Sequence, residues 1–276
     1  MRVALVQMTS GDDPAANLAT LRERVRQAAD DGGRLICTPE VTNCVSLDRA
    51  HQARVLQPQE DDPTLAAMRD EAARRGVWIA LGSLALRTGD ADGRFANRSF
   101  LLAPDGAIAA WYDKIHMFDV TVSETESYRE SAGYRPGDRL VTAPVEDTVV
   151  GLSVCYDLRF PTLYRRLAQA GAQVLLVPSA FSPVTGAAHW EVLLRARAIE
   201  TGCFVLAAAQ TGTHPAEGRS RRTWGHSLAV APWGEVMADA GTAPGVTCVD
   251  LDLGAVATAR GRVPSLSHDR PFAVAP

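Results

Sequence analysis

The chain has 276 residues, 46% of them hydrophobic and 22% charged, and 28 Lys and Arg against 32 Asp and Glu give a net charge of −4. That length leaves room for a sizeable buried core, and the acidic balance speaks against a nucleic-acid-binding surface. No apolar run is long enough to span a bilayer, and five cysteines without disulfide or metal-ligand spacing fit a reducing, cytoplasmic compartment.

Strand-like and helix-like segments alternate along the chain. Val3–Gln7 reads as a first strand, with no signal-peptide pattern ahead of it, and Pro14–Asp30 as an amphipathic helix. Arg34–Thr38 is a second strand. Pro63–Arg75 is helical, with Asp61 and Asp62 placed to cap it and Gly76 to stop it. Val77–Leu86 and Asn97–Leu102 follow as strands, and Pro104-Asp105-Gly106 turns the chain into Ala107–Tyr112. A polar stretch from about Asp113 to Arg139 is long for a structureless loop, a length that points to function.

The apolar run Val149–Val154 is a strand that stops at a polar turn. Pro161–Ala170 is a helix, Gln173–Val177 a buried strand, and Ala187–Thr201 a strong helix. Cys203–Ala209, Ser227–Ala231, Glu235–Asp239 and Val246–Asp250 complete the strands, with Pro232-Trp233-Gly234 as a hairpin turn. No linker or repeat interrupts this, so one domain spans residues 1–276, with a core of about 2–263 and a tail of about 264–276. Hairpins and β-α units coexist, which favours mixed sheets covered by helices, two of them face to face. The basic run Arg219–Arg222 reads as a solvated loop.

Three residues with chemistry share one context. Glu40, Lys114 and Cys155 each stand just after a strand-like run. If those strands are neighbours, a carboxylate, an ammonium and a thiol meet at one end of a sheet. The carboxylate can take the thiol proton, the thiolate can attack a carbonyl carbon, and the ammonium and the Tyr156 N–H can stabilise the oxyanion. The same carboxylate can then activate water. A Cys-His-Asp site built with His189 or His226 is the competing arrangement, and neither histidine lies in a motif suited to a relay. No side-chain cluster has metal-ligand spacing and no Gly-rich strand–helix motif suggests a nucleotide, so neither a metal nor a cofactor is expected.

The segments Ile36-Cys37-Thr38-Pro39-Glu40, Tyr112-Asp113-Lys114-Ile115-His116-Met117-Phe118-Asp119 and Gly151 to Pro161 resemble the three ordered signatures of the nitrilase superfamily, carbon–nitrogen hydrolases with a Glu-Lys-Cys triad. The resemblance runs from Val3 to about Val263. It implies an α/β fold, an α-β-β-α sandwich that commonly forms a homodimer through its outer layers. It also implies Glu40 as general base, Lys114 as oxyanion-stabilising cation, Cys155 as nucleophile, and Glu130 as a second glutamate beside the lysine. The tail Tyr156-Asp157-Leu158-Arg159-Phe160-Pro161 and the stretch Pro178 to Thr201 are similar to the Nit branch of amidases.

Members of that branch cut a γ-amide of an α-keto acid through a Cys thioester. Some act on deaminated glutathione, others are ω-amidases acting on α-ketoglutaramate or α-ketosuccinamate, and the wording here is closer to the first group. By the same resemblance Arg159 would clamp the substrate carboxylate, with His116, Phe181, Thr185 and Tyr156 around the substrate. A non-catalytic scaffold that kept the fold is the alternative of another class. The expected partners are a small-molecule amide and a second copy of the chain, with no nucleic acid and no membrane.

Overall fold

The computed structural model describes residues 1–273 apart from Ser123, Thr125 and Arg219. The first half runs β1 (Arg2–Gln7), α1 (Pro14–Asp30), β2 (Leu35–Cys37), α2 (Arg49–Val55), α3 (Pro63–Arg75), β3 (Trp78–Arg87), β4 (Phe95–Leu102) and β5 (Ile108–Asp113). A short ribbon of β6 (Asp119–Thr121) and β7 (Ser127–Arg129) follows. The second half holds β8 (Thr142–Val145), β9 (Thr148–Leu152), α4 (Pro161–Gln169), β10 (Val174–Leu176), α5 (Pro183–Thr201) and β11 (Phe204–Ala207). It continues with β12 (Thr211–His214), β13 (Arg221–Trp224), β14 (Leu228–Val230), β15 (Val236–Asp239), β16 (Gly245–Asp250) and α6 (Gly254–Arg262).

Two six-stranded sheets form, in the orders β16-β1-β2-β3-β4-β5 and β15-β14-β11-β10-β9-β8. In the first, β1, β2 and β3 are parallel and β4 is antiparallel to both β3 and β5, so β2 and β5 end on the same side. In the second, β9, β10 and β11 are parallel. The period-two pattern of β1 shows how the layers stack. Val3 and Leu5 pack into the core shared with the second sheet, while Ala4 and Val6 pack with Leu21, Val25 and Ala28 of α1 and Leu65, Met68 and Ala72 of α3. On the far side, Leu163, Tyr164 and Leu167 of α4 and Trp190, Leu194 and Ala198 of α5 close over the second sheet. The result is helix, sheet, sheet, helix: an α-β-β-α sandwich.

Local chemistry sets the boundaries. α1 starts where Asp13 accepts from the Ala15 N–H ahead of Pro14. α3 starts where Asp62, and not Asp61, accepts from Leu65 N–H at 2.8 Å, because Asp61 belongs to a preceding 3-10 turn. α5 begins at Pro183, four residues before the sequence-based start, so Ala187 lies inside the helix. The polar stretch 113–139 is not structureless, since it carries the β6–β7 ribbon and a 3-10 turn at Glu130–Ala132. The sequence reading missed α2, α6, β8 and the antiparallel pair β12–β13.

Candidate active site

Glu40 and Lys114 come from the first sheet and Cys155 from the second. The three strands are not neighbours in one sheet, the condition under which the sequence reading brought them together; two strand ends face a third across the sandwich. Glu40 follows β2 on a chain pressed against β3. A Cβ on Gly82 would lie 1.9 Å from the Thr38 carbonyl oxygen, so only glycine permits the approach. Gln210 braces the same segment, its Nε2 donating to the Glu40 carbonyl at 3.1 Å. Lys114 follows β5 and donates its backbone N–H to the Asn97 carbonyl at 2.9 Å.

Cys155 opens a 3-10 turn three residues past β9, with φ at +51°, a left-handed conformation that costs a non-glycine residue about 1 kcal/mol or more. Its surroundings enforce it. The Cys155 N–H donates to the Pro178 carbonyl at 2.9 Å. Asp157, fully buried, accepts from the Val154 N–H at 2.8 Å, the Tyr112 hydroxyl at 2.7 Å and the His116 N–H at 3.0 Å, and meets His116 Nδ1 at 2.7 Å. One carboxylate thus ties the thiol-bearing turn to the end of β5.

The ionisable groups form one buried network. Lys114 Nζ donates to Glu40 Oε1 at 2.9 Å and to Glu130 Oε1 and Oε2 at 2.9 and 2.8 Å. Asn97 Nδ2 donates to both glutamates, at 2.9 and 3.3 Å, and the Phe118 N–H donates to Glu130 at 2.6 Å. Burial opposes the Glu40 charge, but Lys114, the hydrogen bond from the Cys155 thiol and the charge of Arg221 outweigh it, so the carboxyl stays below its ordinary 4.5. Burial also opposes the Lys114 charge, and Glu130 and Glu40 overcome it, raising that amine well above 10.5. For Cys155, burial and then the Glu40 charge push the thiol above its ordinary 9.0 against the pull of Lys114. The resting pair is a neutral thiol donating to a carboxylate, the pairing from which a base can take a proton.

These groups open onto a cavity of about 330 Å³. Glu40, Lys114, Glu130 and Cys155 line it, and so do Tyr156, Phe181 and Thr185. His116 and Arg159 do not. The His116 ring is held by Asp157 and stacks on Phe160 with centroids 3.5 Å apart. The Arg159 guanidinium contacts His189 Nδ1 at 3.3 Å and lies 5.8 and 5.6 Å from the ring centroids of Tyr156 and Phe181, two side chains that line the cavity. His189 is exposed, and His226 pairs with Asp239 at 3.0 Å and stacks on Trp224, so neither histidine serves Cys155.

Three arginines that sequence reasoning passed over line the cavity: Arg49, Arg129 and Arg221. Arg221 corrects the reading of residues 219–222 as a solvated loop, because its Nη2 donates to the Ala180 carbonyl at 2.5 Å; Arg219 lies outside the described residues. Asn97 was also missed, although an Asn inside the apolar strand Phe95–Leu102 is a visible signal. With Lys114 these arginines make four cations against the two carboxylates of Glu40 and Glu130, an excess of two positive charges. Among the described residues no three His, Cys, Asp or Glu side chains converge to hold a metal.

An α-β-β-α sandwich whose sheets bring a carboxylate, an ammonium and a thiol together defines a class of hydrolase, and comparison with known proteins bears on it directly. Residues 2–261 match the carbon–nitrogen hydrolase family, and the chain belongs to that family. It is 41% identical over 270 residues, covering 97% of this chain and 92% of the relative, to the deaminated glutathione amidase of Yersinia enterocolitica. Among solved structures it resembles the C. elegans NitFhit protein (34% identity, TM-score 0.89), covering 98% of this chain and 65% of that longer one. It also resembles Saccharomyces cerevisiae Nit3, a member of branch 10 of the nitrilase superfamily (27% identity, TM-score 0.85), covering 99% of this chain and 97% of the other. The chain is thus a carbon–nitrogen hydrolase of the amidase kind.

Proposed function

We propose that this enzyme hydrolyses the γ-amide of deaminated glutathione to 2-oxoglutarate and cysteinylglycine. One observation carries the choice of substrate: the cavity holds two positive charges in excess, and deaminated glutathione ends in two carboxylates whereas α-ketoglutaramate has one. The relative from Yersinia enterocolitica, deaminated glutathione amidase by name, supports the same reading.

The reaction follows from the geometry. Glu40 takes the Cys155 proton as sulfur attacks the γ-carbonyl carbon, and the ammonium of Lys114 offsets the charge on the oxyanion. Glu40 returns the proton to the departing amine, leaving a 2-oxoglutaryl thioester. Water, activated by Glu40, then releases 2-oxoglutarate and the thiol. Glu130 and Asn97 hold Lys114 and Glu40 in register; Tyr156, Phe181 and Thr185 shape the substrate's bed.

The enzyme acts as one domain and, we infer, as a homodimer in the cytoplasm. Val184, Val192 and Ile199 are large apolar side chains exposed along α5, which supports packing of that helix against a second copy. Five free cysteines, four of them buried, fit a reducing compartment, and no helix among the described residues is long and apolar enough to cross a membrane.

Side-by-side rates on deaminated glutathione, α-ketoglutaramate, a simple nitrile and an N-carbamoyl amino acid test the assignment. Deaminated glutathione should give the highest kcat/KM, and a dominant nitrile or carbamoyl activity would contradict it.

A further inference from the structure

Arg221 differs from the other cations of the cavity in what it leaves unused. It sits on β13, partly buried, with its guanidinium 5.4 Å from the Tyr128 ring centroid. One N–H group reaches the Ala180 carbonyl, while its Nε is buried without a hydrogen-bond partner. No carboxylate among the described residues forms an ion pair with it. The Nη1 group has no hydrogen-bond acceptor among the described residues, and a carboxylate brought into the cavity can meet that cationic group.

The chemistry of cleavage says which end of the substrate Arg221 meets. Glu40 must hand its proton to the departing nitrogen, so the amine half of the substrate lies on the Glu40 side of Cys155. Arg221 lines the same cavity as Glu40 and Cys155, anchored on the Ala180 carbonyl beside them, and its positive charge helps to hold the Glu40 carboxyl low. Arg221 therefore belongs to the leaving-group side. Resting on the assignment of deaminated glutathione as substrate, we propose that Arg221 reads the terminal carboxylate of the leaving cysteinylglycine and so sets the preference for a dipeptide amine over ammonia.

The test pairs a protein variant with a substrate variant, so that a folding defect cannot imitate the result. In Arg221→Gln, kcat/KM for deaminated glutathione should fall roughly ten- to hundredfold, chiefly through KM, the loss expected for one charge-assisted contact. The loss on α-ketoglutaramate, whose acyl half is identical, should be several times smaller. Wild-type enzyme given deaminated glutathione with its glycine carboxylate capped as an amide should show a loss comparable to that of Arg221→Gln on the free acid, and Arg221→Lys should recover part of the rate. Equal losses on both natural substrates, or an amide-capped substrate cleaved as fast as the free acid, would overturn the role of Arg221 alone. A wild-type enzyme that cleaves α-ketoglutaramate and leaves deaminated glutathione intact would overturn the substrate assignment as well.

Discussion

Glu40 and Cys155 are pushed in opposite directions by the same neighbourhood, and the pH dependence of the reaction should record it. The carboxyl is held below 4.5 chiefly because Lys114 offsets the cost of its burial; the thiol is raised above 9.0 by burial and by Glu40 itself. A base with a lowered pKa loses activity only as pH falls through that low value. A thiol with a raised pKa remains protonated, hence able to give its proton to Glu40, until pH rises past the ordinary cysteine range. The profile of kcat/KM should therefore be flat from about pH 6 to about pH 9. A rate that climbs with an inflection near the ordinary thiol value would mean a resting thiolate, and would contradict the pairing. At this scale the sequence was informative about Glu40, Lys114 and Cys155, each marked by a polar side chain at the end of an apolar run. It was uninformative about Arg221, because a run of arginines leading into a short polar strand looks the same whether its members face water or a cavity. Arg159 is a different case: its place four residues after the cysteine suggested a clamp, and its guanidinium stands against two rings that line the cavity.

The element that matters most is the turn from Cys155 to Arg159. Its strained start persists because Asp157 collects two backbone N–H groups, one hydroxyl and one ring nitrogen into a fully buried carboxylate. Asp157→Asn would set an amide N–H against donors and should lower the unfolding free energy by roughly 3 kcal/mol. Because the turn aims the thiol, kcat should drop more than KM changes. Thermal melts alongside steady-state kinetics check both, and a variant with wild-type stability and rates would show that the clasp is dispensable. The long elements were legible because their ends are chemically marked: Pro14 and Pro63 with capping aspartates, and Gly76 in the left-handed conformation at φ +64°. α2 was not, since in seven residues it buries only Gln52 and so lacks an apolar stripe. α6 begins at Gly254 and contains Gly261, both poor helix formers. The four-residue strands β12 and β13 are polar on sequence and are held by pairing with each other.

For the whole molecule, the decisive fact is that the candidate site is shared between two sheets. Composition and the alternation of strand and helix pointed to mixed sheets covered by helices, but the strand order was not readable, because pairing is fixed by packing between distant segments. β16 pairs with β1 across the length of the chain, and the ends of β2 and β5 face the turn after β9. Only that arrangement brings Glu40 and Lys114 to Cys155, and its chemical consequence is a covalent intermediate on one thiol among five. Rapid acid quench of wild-type enzyme during turnover of deaminated glutathione, followed by peptide mass spectrometry, tests this most directly. A 2-oxoglutaryl group should appear on the peptide containing Cys155, and Cys155→Ala should lose both the adduct and the turnover. An adduct on another residue, or undiminished hydrolysis by Cys155→Ala, would contradict the account.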